Sequence, residues 1–294
     1  MTGIKNFDPT GWNLDAAMAA KRGRTVSVCI PCRNEAETVG DLVRMIEQSL
    51  VGTLVDELIV LDDGSTDGTA DIATEAGATV VPVDVVHFFH GSSKGKGNAW
   101  WASLVASHGD IVVWCDGDIT SFTPEWIVRL AMPLLLDDEL GLVKASYHRP
   151  SHLGGGGRTT ELVARPLLSL FFPELAALEQ PLAGEYAGRR SMLEAIPFAT
   201  GWGVEIGMLV DMYERFGIAS IGQVDLGMRL HRHHRLETLA IQAAEVAATL
   251  LARVPHAPAF ADAVPVLHRK TGDPVELNLM VRPPVASLAR FGVA

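Results

Sequence analysis

The chain reads as an α/β domain built on a mostly parallel sheet flanked by helices. Short apolar runs alternate with helix-period segments through the first half, as β-α-β units do. The run 111–115, Ile-Val-Val-Trp-Cys, has no polar alternation, the pattern of a strand covered on both faces. Three of the runs end in polar, Gly-rich or acidic loops. In a parallel sheet these loops fall on one edge, which is where open α/β sheets bind ligands.

The elements follow in order. Residues 25–31 form the first strand, and 37–50 a helix with Val39, Leu42, Val43, Ile46 and Leu50 at apolar spacing. A second strand at 57–61 leads through Asp62-Asp63-Gly64-Ser65-Thr66-Asp67 into a helix starting near Thr69. Residues 79–83 give the third strand, 97–107 a helix and 111–115 the fourth strand. A second section opens near Leu142 with a strand at 142–147 and a loop at 148–160 that contains Gly154 to Gly157. Helices are expected at 161–170, 191–195 and 203–216, with an irregular, proline-containing stretch at 173–185. A final strand at 218–226 precedes His231-Arg232-His233-His234-Arg235, and 236–254 is an amphipathic helix. The remainder, with Pro283 and Pro284, reads as a tail wrapping the domain or a neighbour.

At 294 residues, with 48% hydrophobic and 20% charged residues, the composition is that of a globular enzyme with room for a sizeable core. A net charge of −11 argues against nucleic acid as a partner, because phosphate backbones need a basic footprint. No run approaches the roughly 20 apolar residues that span a bilayer. The first residues, with Lys5, Asp8 and Asp15, show no leader-like apolar core. Cys29 and Cys32 form a Cys-x-x-Cys pair, but Pro31 and the apolar run around them oppose a redox motif. Three cysteines make no disulfide framework, so the expectation is a cytoplasmic protein with no membrane partner.

The chemistry-bearing residues cluster at strand ends. Asp116 and Asp118 leave the fourth strand about 6–7 Å of chain apart, suited to a divalent cation that bridges a diphosphate. Pro31-Cys32-Arg33-Asn34-Glu35 follows the first strand, either holding a nucleobase and ribose or supplying a helix cap. After the second strand, Asp62-Asp63-Gly64-Ser65 offers carboxylates to a nucleoside or makes a solvated turn. Lys94-Gly95-Lys96-Gly97-Asn98 lacks Walker A spacing, yet its glycines and lysines, Lys96 above all, suit a phosphate. The bland alternative there is a flexible loop. Glu205 lies in a Gly-rich, apolar setting where a solvated carboxylate is out of place; it is either functional or a buried structural glutamate.

Together, 28–35, 56–68, 94–97 and Asp116-Gly117-Asp118 resemble the nucleotide-binding half of GT-A-fold glycosyltransferases. In the second half, Leu142-Val143-Lys144, the stretches 155–158 and 160–166, Gly184-Glu185-Tyr186, Gly203-Val204-Glu205-Ile206-Gly207 and Leu230-His231-Arg232 resemble the glucosyl-3-phosphoglycerate synthase family. Mannosyl-3-phosphoglycerate synthases are close relatives, and the resemblance spans roughly 25–255. It implies a GT-A (Rossmann-like) fold with an N-terminal extension (1–24), a nucleotide-sugar-binding half (25–141), an acceptor-binding half (142–235) and a C-terminal helix and tail (236–294).

The resemblance implies a retaining transfer of glucose from UDP-glucose to the 2-hydroxyl of D-3-phosphoglycerate, with GDP-mannose as the alternative donor. It assigns Pro31, Arg33, Glu35 and Asp63 to the donor, with Lys96 and Asp116 at its diphosphate and sugar. Asp118 and His231 would ligate Mg²⁺ or Mn²⁺. Gly157, Arg158 and Thr160 would bind the acceptor phosphate, through a backbone nest and charge-assisted hydrogen bonds, with His233 beside them where relatives carry asparagine. Glu205 would position the reacting groups, making Glu205, Lys96 and Asp116 the catalytic set. Helix 236–254 and the tail suggest a homodimer. The rivals are an inverting transferase acting on polysaccharide or lipid, a nucleotidyltransferase, and a non-enzymatic nucleotide-sugar sensor. No membrane run, no Gly-rich triphosphate loop after the first strand, and the presence of Glu205 with the 154–160 loop weigh against them in turn.

Overall fold

The computed structural model describes residues 3–88, 90–91, 93–148, 157–229, 236–255, 266–267 and 273–288. Its strands are β1 (Lys5–Phe7), β2 (Val26–Cys32), β3 (Glu57–Asp62), β4 (Thr79–Pro82), β5 (Ile111–Trp114), β6 (Leu142–His148), β7 (Tyr186–Arg189), β8 (Phe198–Ala199), β9 (Ile221–Met228), β10 (Val266–Leu267), β11 (Val275–Glu276) and β12 (Val281–Arg282). The helices are α1 (Leu14–Lys21), α2 (Val39–Leu50), α3 (Thr69–Glu75), α4 (Val83–His87), α5 (Lys96–Ala106), α6 (Glu125–Leu136), α7 (Arg165–Phe171), α8 (Arg190–Leu193), α9 (Val204–Phe216) and α10 (Leu236–Leu251).

Eight strands form one sheet in the order β1-β9-β6-β7-β5-β2-β3-β4. All pairings are parallel except those of β7, which runs antiparallel to both β5 and β6. Strand order reverses at β2, which lies between β5 and β3, so a crevice opens at the carboxyl ends of β2 and β5. Both faces of the sheet are covered. In β5, Ile111 and Val113 pack into one core with α2 and α6, while Val112 and Trp114 pack into the other with α5 and α9. That two-sided burial explains the continuous apolar runs of the central strands.

The structure departs from the sequence expectations at particular elements. Within the N-terminal extension, β1 forms the parallel edge of the sheet beside β9, and α1 packs on α6. Helix α6 was not anticipated, and it carries Pro133 near its end. The helix expected at 161–170 begins with a π turn, Thr160–Ala164, before α7. The last strand of the sheet starts at Ile221, after a 3-10 turn at Ile218–Ser220. Cys29 and Cys32 are three residues apart on one strand and therefore pack into opposite cores, so they cannot pair; all three cysteines are free and buried. The proline-containing tail wraps its own domain, β12 pairing antiparallel with β8.

Candidate active site

The loops after β2 and β3 are tied together before any ligand is considered. Asn34 adopts the left-handed backbone region (φ 58°), and its Oδ1 accepts the Thr66 amide at 2.9 Å. Its own amide donates to Ser65 Oγ at 3.0 Å, so Asn34 bridges two loops instead of capping α2. Asp62 makes the local turn by accepting the Ser65 amide, whereas Asp63 faces the cleft and meets Arg33 at 3.5 Å. Burial raises the carboxyl pKa of Asp63, with Arg33 acting against the shift.

Two clefts adjoin at the carboxyl edge of the sheet. One is an open cleft lined by Pro31, Arg33, Glu35, Asp63, Lys96, Asp116 and Asp118. The other gathers Gly157, Arg158, Thr160 and Glu205 around the same Lys96, Asp116 and Asp118, with α10 closing one side through Leu239, Gln242 and Val246. Trp202, 37% exposed, lines both clefts. Every site residue expected from sequence within the described regions therefore lies at one of the two clefts or their junction. His231 and His233 lie outside the described residues.

At the junction the charges form a chain. Lys96 Nζ donates to Asp116 Oδ1 at 2.8 Å and to Glu205 Oε1 at 2.9 Å. The other oxygen of Asp116 accepts Arg229 Nη2 at 3.0 Å, and Arg229 reaches Glu185 Oε1 at 2.7 Å. Burial works against the charge on Lys96, but Asp116 and Glu205 together hold its ammonium protonated far above the usual lysine range. Burial likewise opposes ionisation of Asp116, and Lys96 and Arg229 more than offset it. For Glu185 burial prevails over Arg229, and its pKa is raised. Lys144, 1% exposed, donates to the Ala183 carbonyl at 2.5 Å and sits 4.0 Å from the Tyr186 ring centroid. Its burial lowers its pKa to about 7, with Glu205 acting against the shift. Trp100, Trp114 and Tyr186 make an aromatic floor beneath, their centroids 4.6–5.6 Å apart.

Arg229, Lys144, Glu185 and Trp202 were not singled out individually from the sequence. Lys144 and Glu185 lie within stretches that carried the family resemblance, but nothing local marked their roles. The reversed direction of β7 explains Glu185: the strand begins where its neighbours end, so Gly184 and Glu185 arrive at the ligand edge. Gly184 is required there, because a Cβ would overlap the Asp116 carboxylate.

The donor chemistry fits a hard divalent cation. Asp116 is committed to Lys96 and Arg229, and Asp118 supplies carboxylate oxygens at the junction of the clefts, which suits Mg²⁺ or Mn²⁺. Among the described residues no group of three or more His, Cys, Asp and Glu side chains is placed to hold an ion by itself.

The fold and these clefts define a glycosyltransferase, and the model for Glycosyl transferase family 2 matches residues 27–200. Glucosyl-3-phosphoglycerate synthase of Mycolicibacterium smegmatis is 48% identical over 254 residues, covering 84% of each chain. The enzyme of that name from Petrotoga mobilis is 44% identical over 242 residues, covering 80% of this chain and 74% of the relative. The crystal structure of the Mycobacterium tuberculosis glucosyl-3-phosphoglycerate synthase with Mn²⁺, uridine-diphosphate-glucose and phosphoglyceric acid superposes with a TM-score of 0.89 at 42% identity, covering 97% of this chain and 99% of that one. The same enzyme has also been crystallised with Mg²⁺ and uridine diphosphate (TM-score 0.88, 42% identity, 96% and 98% covered). The chain belongs to the glucosyl-3-phosphoglycerate synthase family.

Proposed function

We propose that this protein transfers glucose from UDP-glucose to the 2-hydroxyl of D-3-phosphoglycerate, with retention of the anomeric configuration. The carrying observation is that a nucleotide-suited cleft and a phosphate-suited cleft meet at Lys96, Asp116 and Asp118. In this reading Pro31, Arg33, Glu35 and Asp63 receive the nucleoside, and residues 25–141 form the donor half. Gly157, Arg158 and Thr160 receive the acceptor phosphate, with His233 beside them, so 142–235 form the acceptor half. Asp118 and His231 hold Mg²⁺ or Mn²⁺, which supplies charge stabilisation at the diphosphate.

Each side chain then has a defined task. Lys96 is kept protonated by two carboxylates and offers its charge where the departing diphosphate develops its own. Asp116 is oriented by Lys96 and Arg229 to face the donor sugar. Glu205 fixes Lys96 and borders the acceptor cleft, where it positions the attacking hydroxyl. Arg158 and Thr160 anchor the acceptor by its phosphate, away from the reacting oxygen. The new bond joins the acceptor 2-oxygen to the anomeric carbon as the carbon–diphosphate bond breaks. The hydroxyl proton passes to a diphosphate oxygen, and UDP leaves. The free, buried cysteines fit a reducing cytoplasm. The reading includes a homodimer, for which exposed Leu162, Leu170 and Phe171 are available to a second copy. No helix among the described residues is long and apolar enough to cross a membrane.

The test incubates the full chain with Mg²⁺ and 3-phosphoglycerate, giving UDP-glucose or GDP-mannose in parallel and reading the product's anomeric configuration by NMR. Glucosyl-3-phosphoglycerate with the donor's configuration is expected. Exclusive use of GDP-mannose, or inversion, overturns the reading. In the same assay Arg158→Ala is expected to raise the KM for 3-phosphoglycerate about 10- to 100-fold, the worth of a charge-assisted hydrogen bond.

A further inference from the structure

The C-terminal segment holds the loop that carries Lys96. Asn278, just ahead of β12, donates from Nδ2 to the Lys94 carbonyl at 2.8 Å and accepts Thr200 Oγ1 at 2.9 Å. Its amide donates to Glu245 Oε1 at 3.0 Å, and the other oxygen of that buried carboxylate accepts the Trp202 amide at 2.8 Å. Met280 accepts the Thr200 amide at 2.9 Å. Arg282, 5% exposed, then spreads its guanidinium over the same loop. Its Nε donates to Asn98 Oδ1 at 3.0 Å, Nη2 to the Gly91 carbonyl at 2.6 Å and Nη1 to the His90 carbonyl. The guanidinium carbon lies 4.9 Å from the Trp101 ring centroid.

These contacts hold both ends of the stretch from His90 to Asn98. From the inner side, Asn98 Nδ2 reaches the Ser93 carbonyl at 3.0 Å, and the Asn98 amide reaches the Thr200 carbonyl at 3.0 Å. Gly95 has φ +113°, and a Cβ there would lie 2.6 Å from the Thr200 carbonyl, so the loop is pressed against residues 199–201. Among the described residues, the hydrogen-bond acceptors of Arg282 are all uncharged. An apolar side chain could cover Trp101 without desolvating a guanidinium, whereas a planar fork fixes three acceptors in one geometry. Lys96 begins α5 one residue beyond Gly95, and its ammonium must lie between Asp116 and Glu205. The segment also lies beyond residues 27–200, which match the transferase family model.

We propose that Arg282 is a positioning residue for glucosyl transfer, acting from the C-terminal tail through the His90–Asn98 loop to set Lys96 against the donor diphosphate. This rests on the reading of Lys96 given above. The loop that Arg282 holds borders the donor cleft at Gly95 and Lys96, whereas the acceptor phosphate is assigned to Gly157, Arg158 and Thr160, which Arg282 does not touch, so UDP-glucose binding is the step it constrains.

Full-length Arg282→Ala, Arg282→Lys and Asn278→Ala test it. UDP binding is measured by calorimetry with MgCl₂ present, steady-state kinetics are measured for each substrate, and hydrogen exchange is followed in peptides spanning 90–98. In Arg282→Ala, kcat/KM for UDP-glucose is expected to fall on the order of 10- to 100-fold, as small misplacements of reacting groups do. UDP binding weakens, exchange in 90–98 rises, and the KM for 3-phosphoglycerate stays unchanged. Arg282→Lys, which keeps the charge but not the fork, recovers part of the loss. Unchanged UDP-glucose kinetics in folded Arg282→Ala, or a rise in the KM for 3-phosphoglycerate as large as that for UDP-glucose, overturn the proposal. Should Arg282→Ala not fold, Asn278→Ala carries the test: a severalfold rise in the UDP-glucose KM supports it and an unchanged KM overturns it. Wild-type protein that binds UDP but transfers no glucose removes the proposed reaction, while UDP binding in the variants still judges the positioning.

Discussion

Half-buried Lys96 and buried Lys144 lie near the same carboxylates, yet their surroundings push them in opposite directions. Lys96 touches Asp116 and Glu205 directly, and the two carboxylates overcome its burial. Lys144 touches a carbonyl and an aromatic face, which do not, and burial lowers its pKa from 10.5 to about 7. The difference has a stability consequence with a definite sign. Between pH 7 and 10.5 the unfolded chain binds a proton at Lys144 that the native protein does not, so this residue makes stability rise with pH through that window. Its destabilisation is full below pH 7 and absent above 10.5. Lys144→Met is expected to remove that rise, flattening unfolding free energy against pH by up to about 1.4 kcal/mol per pH unit. Urea titrations of both proteins at pH 7, 8 and 9 measure it, and identical slopes would show that Lys144 does not titrate there.

Two elements turn ordinary chain into a site by breaking a regular pattern. Strand β7 reverses the sheet direction locally, which brings Glu185 under Arg229 and lays Gly184 against Asp116. Because the close approach at Gly184 involves a carboxylate gripped by Lys96 and Arg229, the overlap cannot be relieved by a simple rotation. Gly184→Ala is expected to keep the fold and lower kcat on the order of 100-fold, seen as near-native circular dichroism with slow turnover. The π turn Thr160–Ala164 is the second break. With the Glu161 amide bonded to the Gly157 carbonyl, it leaves Thr160 buried at the proposed acceptor cleft and Arg158 exposed beside it. Single-turn π segments of this sort gather at functional sites.

Over the whole molecule, a chain of net charge −11 sets three cations, Lys96, Arg158 and Arg229, against three carboxylates, Asp116, Asp118 and Glu205, around the cleft where anionic substrates are proposed to bind. Ligands that bind only the folded state stabilise it by about 2.7 kcal/mol at about 100 times their Kd. UDP with Mn²⁺ is expected to raise Tm by several degrees, and Asp118→Ala to abolish the Mn²⁺-dependent part of that rise. A full Mn²⁺ effect in the variant, followed by thermal shift, would remove Asp118 from the metal site. The parallel strands of the first half and the acidic loops at their ends were legible in sequence because each rests on local pattern: buried strands are apolar throughout, and loops that bind anions need glycine and charge. Residues 1–24 were less legible, since β1 is three residues long and becomes a strand only through its pairing with β9. Sequence alone determined the α/β class, the Asp116-Gly117-Asp118 strand end and the Lys96 loop. Only the tertiary structure joined Lys96 to Glu205, Asp116 to Arg229 and Arg282 to the His90–Asn98 loop, because these contacts span 109, 113 and 184 or more residues and depend on strand direction and tail path, which no local pattern encodes.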